Sequence, residues 1–487
     1  MDELSEIQKF YYGKTIFITG ATGLLGKCLV EHLLRSCPVK SIFLLIRSKR
    51  NLSYEDRMRE YFNDVLFATI KSNNSKDLDK VVFMHGDIAL RNFGLSPEDY
   101  NTIIEQTNIV FHAAASVRFV SPLHEIVPLN IIGTKTMIDI AKNINNLQAL
   151  IYVSTMFVFC DRSVTDETVQ SARYTPEFLI DLTNNMTRET LDQCTPTLLG
   201  PLPDTYILTK QAAEQYLYEA HANMPVAIYR PCGITPTYRE TCPGWSNHYF
   251  AAIGYGLGLA TGAIKVVHLN KVARFHLVPV DMAANCLIAA AWNITVHRDK
   301  QVKIYNHFTE ENALDGYQFI DAFINSQYPL ECAFRYPGYK LTTSSCQYNI
   351  YALFIQIIPN ALVDMVYRIL GKNVNCNVKC KRAGLLAKVV KYAQERDFNF
   401  QTNNLPALWK QLDSKDRELF NFNSYSIDWN EYLQIFSCGI KEILLKEDMS
   451  QLGKVRHKHQ LLHIYEYLFV ILYGAAIWMV LYLTNIL

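Results

Sequence analysis

Tyr206 and Lys210 stand four residues apart in the stretch DTYILTKQAAEQYLYEA, and they are the side chains best suited to move a proton. On a helix that spacing stacks the two on one face. A lysine ammonium beside a phenol favours the phenolate, which makes the tyrosine a better proton shuttle near neutral pH. Tyr336 and Lys340 repeat the spacing, but Pro337 and Gly338 lie between them. Such a segment does not form a helix, and it falls outside the strand–helix alternation of the first half of the chain. Tyr206 and Lys210 are the catalytic pair that spacing selects.

The elements that must position this pair begin with residues 14–34, KTIFITGATGLLGKCLVEHLL. Ile16 to Thr19 reads as a short buried strand, and Leu24, Leu25, Leu29 and Leu33 recur at helical spacing after it. Between them lies TGxxGxxG, with Gly20, Gly23 and Gly26. A tight turn and a close backbone approach to a pyrophosphate both need residues without a Cβ, and the free N–H groups of a helix N-terminus attract phosphate. Thr19, Gly20, Thr22, Gly23, Leu24, Leu25 and Gly26 are therefore the expected nucleotide cradle.

A second strand, Ser41 to Ile46, ends at Arg47, with Lys49 and Arg50 beyond and no acid between Ser41 and Arg50. An acid there would grip a ribose 2′-hydroxyl, whereas an arginine suits a 2′-phosphate, so NADPH is the predicted cofactor. The third strand, Val81 to His85, runs into Gly86-Asp87-Ile88, where Asp87 either contacts adenine or caps a turn. The fourth, Asn108 to His112, is followed by Ala113 and Ala114, small enough to let backbone lie against a flat cofactor. Asn130, on an apolar helix face, reads as a backbone tie. The fifth strand, Leu150 to Val153, leads to Ser154-Thr155, and residues 161–200 read as a polar surface loop. Val226 to Tyr229 is the sixth strand, and residues 275–292 read as a last strand and an apolar helix with Asp281 as its N-cap.

The chain has 487 residues, room for two or three domains, and a net charge of +1 that offers no global basic field for nucleic acid. The charged N-terminal stretch MDELSEIQKFYYGK lacks the apolar core of a signal peptide, which predicts a cytosolic catalytic part. Twelve cysteines are scattered, some in apolar runs (Cys28, Cys160, Cys286); Cys376 and Cys380 lack a second pair that would complete a zinc site. Reduced thiols and no metal are expected.

The ordered segments TGATGLLG, HAAASVRF, PLNIIGT, YVST, TYILTK, RPCGI and VPVDM resemble the extended short-chain dehydrogenase/reductases. More narrowly, ASVRF, the CPGW loop, CKRAGLLAKVVKYAQERDFNF and IDWNEYL resemble the fatty acyl-CoA reductases. The resemblance covers nearly the whole chain. It implies an α/β fold, with a Rossmann-type doubly wound parallel sheet, an interleaved substrate region, a mainly helical C-terminal domain and a transmembrane helix. The corresponding limits are residues 1–295 for the NADP-binding domain, 296–375 for the substrate-binding or linking region, 376–450 for the helical domain and 461–487 for the anchor. It also implies a catalytic Thr155, Tyr206 and Lys210, with Thr155 orienting the substrate oxygen, Tyr206 donating the proton and Lys210 holding the nicotinamide ribose. The implied reaction is NADPH-dependent reduction of a long-chain fatty acyl-CoA to a fatty alcohol through an aldehyde. A membrane dehydrogenase acting on a sterol or sugar nucleotide, and a silent NADP-binding scaffold, are the alternatives. Met156 and Phe157 stand where family members often have a small residue and an aromatic, and Val120 and Ser121 where an acid is common.

Residues 350–370 are apolar but interrupted by Pro359, Asn360 and Asp364. Pro359 is expected to end or kink a helix, so the segment reads as an acyl-tunnel wall, a membrane-surface helix or a core helix, and poorly as a span. Tyr467 to Leu483 carries no charge, and as helix it covers roughly 26 Å, the low end of a membrane span. Lys454, Arg456 and Lys458 precede it and place that flank in the cytosol. An endoplasmic reticulum anchor is predicted, with the peroxisomal membrane as the alternative, and the sequence leaves a homo-oligomer open.

Overall fold

The computed structural model describes residues 3–49, 52–119, 121–222, 224–269, 274–297, 301–308, 311–371, 380, 384 and 399–483. Arg50, Val120, Cys376 and most of the CKRAGLLAKVVKYAQERDFNF stretch lie outside the described residues. Six of the apolar runs become strands β1 (Thr15–Thr19), β2 (Ser41–Ile46), β3 (Val81–His85), β4 (Ile109–His112), β5 (Ala149–Val153) and β6 (Val226–Pro231). A seventh, β7 (Lys303–His307), completes one sheet of order β7-β6-β5-β4-β1-β2-β3, parallel throughout. Every residue of β1, β4 and β6 is buried. Continuous apolar runs suit this arrangement, because a parallel sheet is covered on both faces. Phe17 is in register with Phe43 and Val110, and Val110 with Leu150, so one row of large side chains crosses four strands. That row packs with Met137, Ile138, Ala213 and Leu217 in a single core. Helices α1 (Leu24–Ser36), α2 (Thr205–Ala220) and α3 (Val280–His297) flank the sheet, with α3 packed on α1, β5 and β6.

Several details differ from the sequence expectation. Leu277–Pro279 does form a strand, but it pairs with Gly233–Thr235 outside the main sheet, and the last sheet strand lies beyond residue 295. Asp281 does not cap its own helix: its carboxylate accepts the backbone N–H groups of Tyr238, Arg239 and Glu240, and so ties down the loop after β6. Residues 161–200 contain the helices Pro176–Asn185 and Arg188–Leu199, each opened by a threonine side-chain cap. Their polar composition hid two local start signals, Thr-Pro-Glu and Thr-Arg-Glu.

The contacts divide the chain into two interleaved units. The first comprises Met1–Cys242, His276–Ala313 and Asp397–Ile427 and holds the sheet. The second comprises Pro243–Phe275, Leu314–Arg396 and Asp428–Leu487. It has an aromatic core in which Phe319 lies 4.5 Å from Phe275 and 4.8 Å from Phe323, with Phe436 5.1 Å from Phe323. In this unit the helix α4 runs unbroken over Ser345–Ile369, contrary to the expected break at Pro359. A π-helical turn, Ala352–Ile357, comes just before the proline, which then occupies the first turn of the following α-helical segment. The wider turn relieves the clash and the missing N–H that a proline otherwise imposes. The helix α5 covers Leu452–Leu483.

Candidate active site

The glycine turn joins β1 to α1 where the strand order reverses, between β1 and β4. Gly20 has φ +78°, and a Cβ there would sit 2.7 Å from the backbone of Ala113 and Ala114. A Cβ on Gly26 would collide with Gly20 and Ala21. One glycine is required for the left-handed turn and another for the close helix–strand approach. Gly23 caps α1 with no side chain, so the first N–H groups of the helix remain available. Thr19 is wholly buried; its hydroxyl meets His112 Nδ1 at 2.7 Å and accepts from the Ala114 N–H at 3.3 Å, tying β1 to β4. Ile88 and Leu24 are buried.

At the ends of β2 and β3, Arg47 Nη1 donates to Asp87 Oδ2 at 2.9 Å. Asp87 also accepts the Ala89 N–H at 3.1 Å, which makes it the turn cap that the sequence left open. A residue absent from the sequence reading joins them. Arg57, on the helix Tyr54–Tyr61, donates to the Arg47 carbonyl and to Thr22 Oγ1, the latter at 2.9 Å. Burial, then Arg57, Arg47 and Arg118, lower the pKa of Lys49. These cations crowd one corner of the crevice, beside the glycine turn. A cluster of cations beside a glycine turn is a fit for phosphate. Arg57 carried no sequence signal, because it is one of several charged residues in a mostly polar helix.

The helix α2 is fixed at several points. Asp204 caps it, accepting the Ile207 N–H at 2.8 Å, and burial pushes the Asp204 carboxyl up to about 7. Thr205 donates to the Ser121 carbonyl at 2.7 Å. Asn130 accepts from the Ser116 N–H, donates to the Ser116 carbonyl and to Thr209 Oγ1, and so is the backbone tie that was expected. Glu214 pairs with Arg230 at the base of the site, with Nε–Oε1 3.0 Å and Nη2–Oε2 2.6 Å, and both side chains are fully buried. Arg230 also donates to the carbonyls of Asp166 and Thr168. Sequence reasoning passed over Glu214 and Arg230. Glu214 lies one further helical step along the face of Tyr206 and Lys210, and that periodicity was the available signal.

Tyr206 and Lys210 share that buried face at the carboxyl ends of the strands. Lys210 Nζ donates to the Val153 carbonyl at 2.6 Å and to the Tyr152 hydroxyl at 3.1 Å. It lies 6.0 Å from the centre of the Tyr206 ring. The ammonium thus engages the end of β5 and Tyr152, a residue the sequence did not single out. Burial lowers the Lys210 pKa to about 7, with Glu214 opposing the fall. Burial, then the carboxylates of Asp204 and Glu214, push the Tyr206 hydroxyl up. The sequence expectation of a phenolate favoured by Lys210 is therefore not met, because desolvation outweighs a charge that points elsewhere. Phe119 packs edge-on to Tyr206, and among the described residues the Tyr206 hydroxyl has no hydrogen-bond partner. Thr155 is buried beyond β5, its Oγ1 accepting the Phe157 N–H at 3.3 Å. The neighbouring Ser154 Oγ is buried without a partner among the described residues. Met156 is fully buried. Tyr336 and Lys340 belong to no such arrangement: Tyr336 packs on His463, and Lys340 opens a short strand.

Two family profiles, both described as male sterility protein, match residues 18–287 and 355–447. The fatty acyl-CoA reductase wat of Drosophila melanogaster is 32% identical over 97% of this chain and 92% of its own length. Human fatty acyl-CoA reductase 1 is 33% identical over 93% of this chain and 88% of its own. Among solved structures, the terminal reductase domain of the myxalamid pathway superposes with a TM-score of 0.61 at 18% identity, covering 88% of this chain and 90% of that one. The reductase domain of a Mycobacterium tuberculosis nonribosomal peptide synthetase gives 0.59 at 18% identity, covering 91% and 92%.

Proposed function

This chain belongs to the fatty acyl-CoA reductase family and is a nicotinamide-dependent oxidoreductase, and from that premise we propose that it reduces a long-chain fatty acyl-CoA to the primary alcohol through the aldehyde, with NADPH as reductant. The observation that carries the reading is a buried tyrosine, Tyr206, whose hydroxyl has no hydrogen-bond partner among the described residues, one helical turn from a lysine anchored at the end of β5. Bound NADPH would supply the hydride for the thioester carbonyl, and a second NADPH that for the aldehyde. The turn Thr19–Gly26 would hold its pyrophosphate, and Arg47 with Lys49 and Arg57 its 2′-phosphate; Asp87, Ile88, Ala113 and Ala114 would border it.

Tyr206 donates its proton to the oxygen that gains charge as the carbonyl is reduced. A hydroxyl whose pKa burial holds high stays protonated until that charge develops, which suits it as an acid. Thr155 donates a hydrogen bond to the same oxygen. Lys210, when charged, holds the ribose hydroxyls and lowers the cost of the phenolate left on Tyr206. Hydride addition converts the thioester to a hemithioacetal, whose C–S bond then breaks as its hydroxyl proton returns through Tyr206 to the departing CoA sulfur, leaving the aldehyde, so no cysteine nucleophile is required. The apolar stretch of α5 supports a membrane anchor, with large exposed side chains from Tyr467 to Leu483 and cations at 454, 456 and 458 before it. On that reading the catalytic part faces the cytosol from the endoplasmic reticulum.

The test uses the full chain in lipid vesicles with NADPH and acyl-CoAs of medium to very long chain, products being identified by mass. Alcohol from the parent is expected, with Tyr206→Phe slower by roughly 10²–10⁴-fold at unchanged NADPH affinity. NADPH binding with no thioester consumed across the panel would overturn the reading.

A further inference from the structure

The helix α4 is built inside out for a protein in water. Its buried residues are Gln356, Pro359, Asn360 and Asp364, of which Gln356 is 8% and Asn360 0% exposed. Its exposed large apolar residues are Ile350, Leu353, Phe354, Ile357, Met365, Val366 and Ile369, with Ile357 53% and Ile369 77% exposed, while the polar residues it exposes, Ser345, Gln347, Asn349 and Arg368, lie towards its two ends. Spacings of three and four repeat along this set, so it forms one stripe. A water-facing helix carries the opposite distribution, and a continuous exposed apolar stripe marks an apolar neighbour.

The inward polar side chains are used. Gln356 Oε1 accepts the Lys265 N–H at 3.0 Å. Arg335 Nη1 donates to the Ile355 carbonyl at 3.1 Å and to Asn360 Oδ1 at 3.0 Å. The same guanidinium pairs with Glu466 of α5, its Nε lying 3.1 Å from Oε2, and Lys265 Nζ is 3.1 Å from Glu466 Oε1. Glu466 is the last charge before the uncharged stretch of α5. One partly buried ionic cluster therefore fastens the middle of α4 to the point where α5 becomes uncharged.

We propose that α4 is a second membrane-contacting element, lying along the bilayer surface with Leu353, Phe354, Ile357, Met365, Val366 and Ile369 in the lipid. The proposal rests on the anchor reading for where the bilayer lies. Lipid is the occupant that this geometry favours, because Arg335 joins Asn360 of α4 to Glu466, the residue at which the exposed apolar stretch of α5 begins. At 25 residues α4 is long enough to cross a bilayer, but crossing would strip Gln356, Asn360 and Asp364 of their protein partners and expose them to hydrocarbon. Lying in the plane keeps the polar face on protein and gives the apolar face to lipid.

The test reconstitutes the full chain in phosphatidylcholine vesicles doped with a phosphatidylcholine whose acyl chain bears a diazirine, then maps photoadducts by mass spectrometry. Adducts are expected on the exposed stripe of α4 and within residues 467–483, and not on Gln356 or Asn360. The double variant Phe354→Asp, Ile357→Asp should lose the α4 adducts by roughly tenfold or more while keeping those of α5 and its acyl-CoA reductase activity, which also reports its folding. Adducts confined to 467–483, as when a second copy or another protein covers α4, overturn the proposal and leave the anchor standing. Equal labelling of Gln356, Asn360 and Phe354 overturns the in-plane arrangement. Absence of adducts from both helices overturns the anchor reading and this one together.

Discussion

Glu214 and Arg230 lie at the base of the site, and replacing Glu214 by Gln tests how the site is supported. Both partners are fully buried and joined by two hydrogen bonds of 3.0 and 2.6 Å. Removing one partner of such a pair strands a charge, at a cost of about 3–5 kcal/mol. Arg230 keeps the carbonyls of Asp166 and Thr168, which places the loss near the lower end, about 3 kcal/mol. The thermal midpoint of the full chain in detergent should fall by on the order of 5–10 °C. The pair Glu214→Met, Arg230→Met should be less destabilised than the sum of the single variants by about 2 kcal/mol or more, since neither charge is then left alone. A kinetic signature accompanies this. Glu214 raises the Lys210 pKa against the lowering effect of burial. Lysine is charged below its pKa, so activity that needs the ammonium is present below that value and lost above it. In Glu214→Gln the alkaline limb of kcat/KM should therefore move to lower pH. The assays are urea unfolding for the double-mutant cycle and a kcat/KM profile from pH 5 to 9 for the limb. A single-variant loss below about 1 kcal/mol, or strict additivity in the cycle, would refute a closed buried ion pair; an unmoved or alkaline-shifted limb would refute its hold on Lys210.

Gly20→Ala places a Cβ 2.7 Å from the Ala113–Ala114 backbone at a left-handed φ, and should cost more than about 1 kcal/mol of stability and abolish NADPH binding; fluorescence titration checks it, and near-parental affinity would count against the cradle. Arg57→Ala should narrow the preference for NADPH over NADH by roughly tenfold, read as the ratio of kcat/KM values, whereas equal losses with both cofactors would show that Arg57 only props the turn. Tyr152→Phe removes the 3.1 Å contact to Lys210 and should weaken kcat/KM by roughly tenfold or less, since the Val153 carbonyl still holds the ammonium; a loss as large as that of Tyr206→Phe would assign Tyr152 a direct part in the chemistry.

The residues that do local work were legible in the sequence. The glycine turn, the alternation of strand and helix, and the four-residue spacing of Tyr206 and Lys210 depend on the chain's own periodicity and on which residues tolerate a turn. The six apolar runs became sheet strands for the same reason: a parallel sheet covered on both faces demands them. Partners distant in sequence were not legible. Arg230 finds Glu214, Arg57 finds Thr22, and Lys210 turns to Tyr152 because the sheet order brings those positions together, and nothing local encodes that order. The same holds for protonation. Spacing alone suggested that Lys210 acidifies Tyr206, but burial reverses the direction, and burial belongs to the fold. In α4 the sequence displayed Pro359, Asn360 and Asp364 as interruptions. Only the tertiary structure showed that a π-turn accommodates the proline and that the polar residues face inward, leaving the apolar stripe outside. Periodicity fixes which side chains share a face; packing decides which face meets protein and which meets the surroundings.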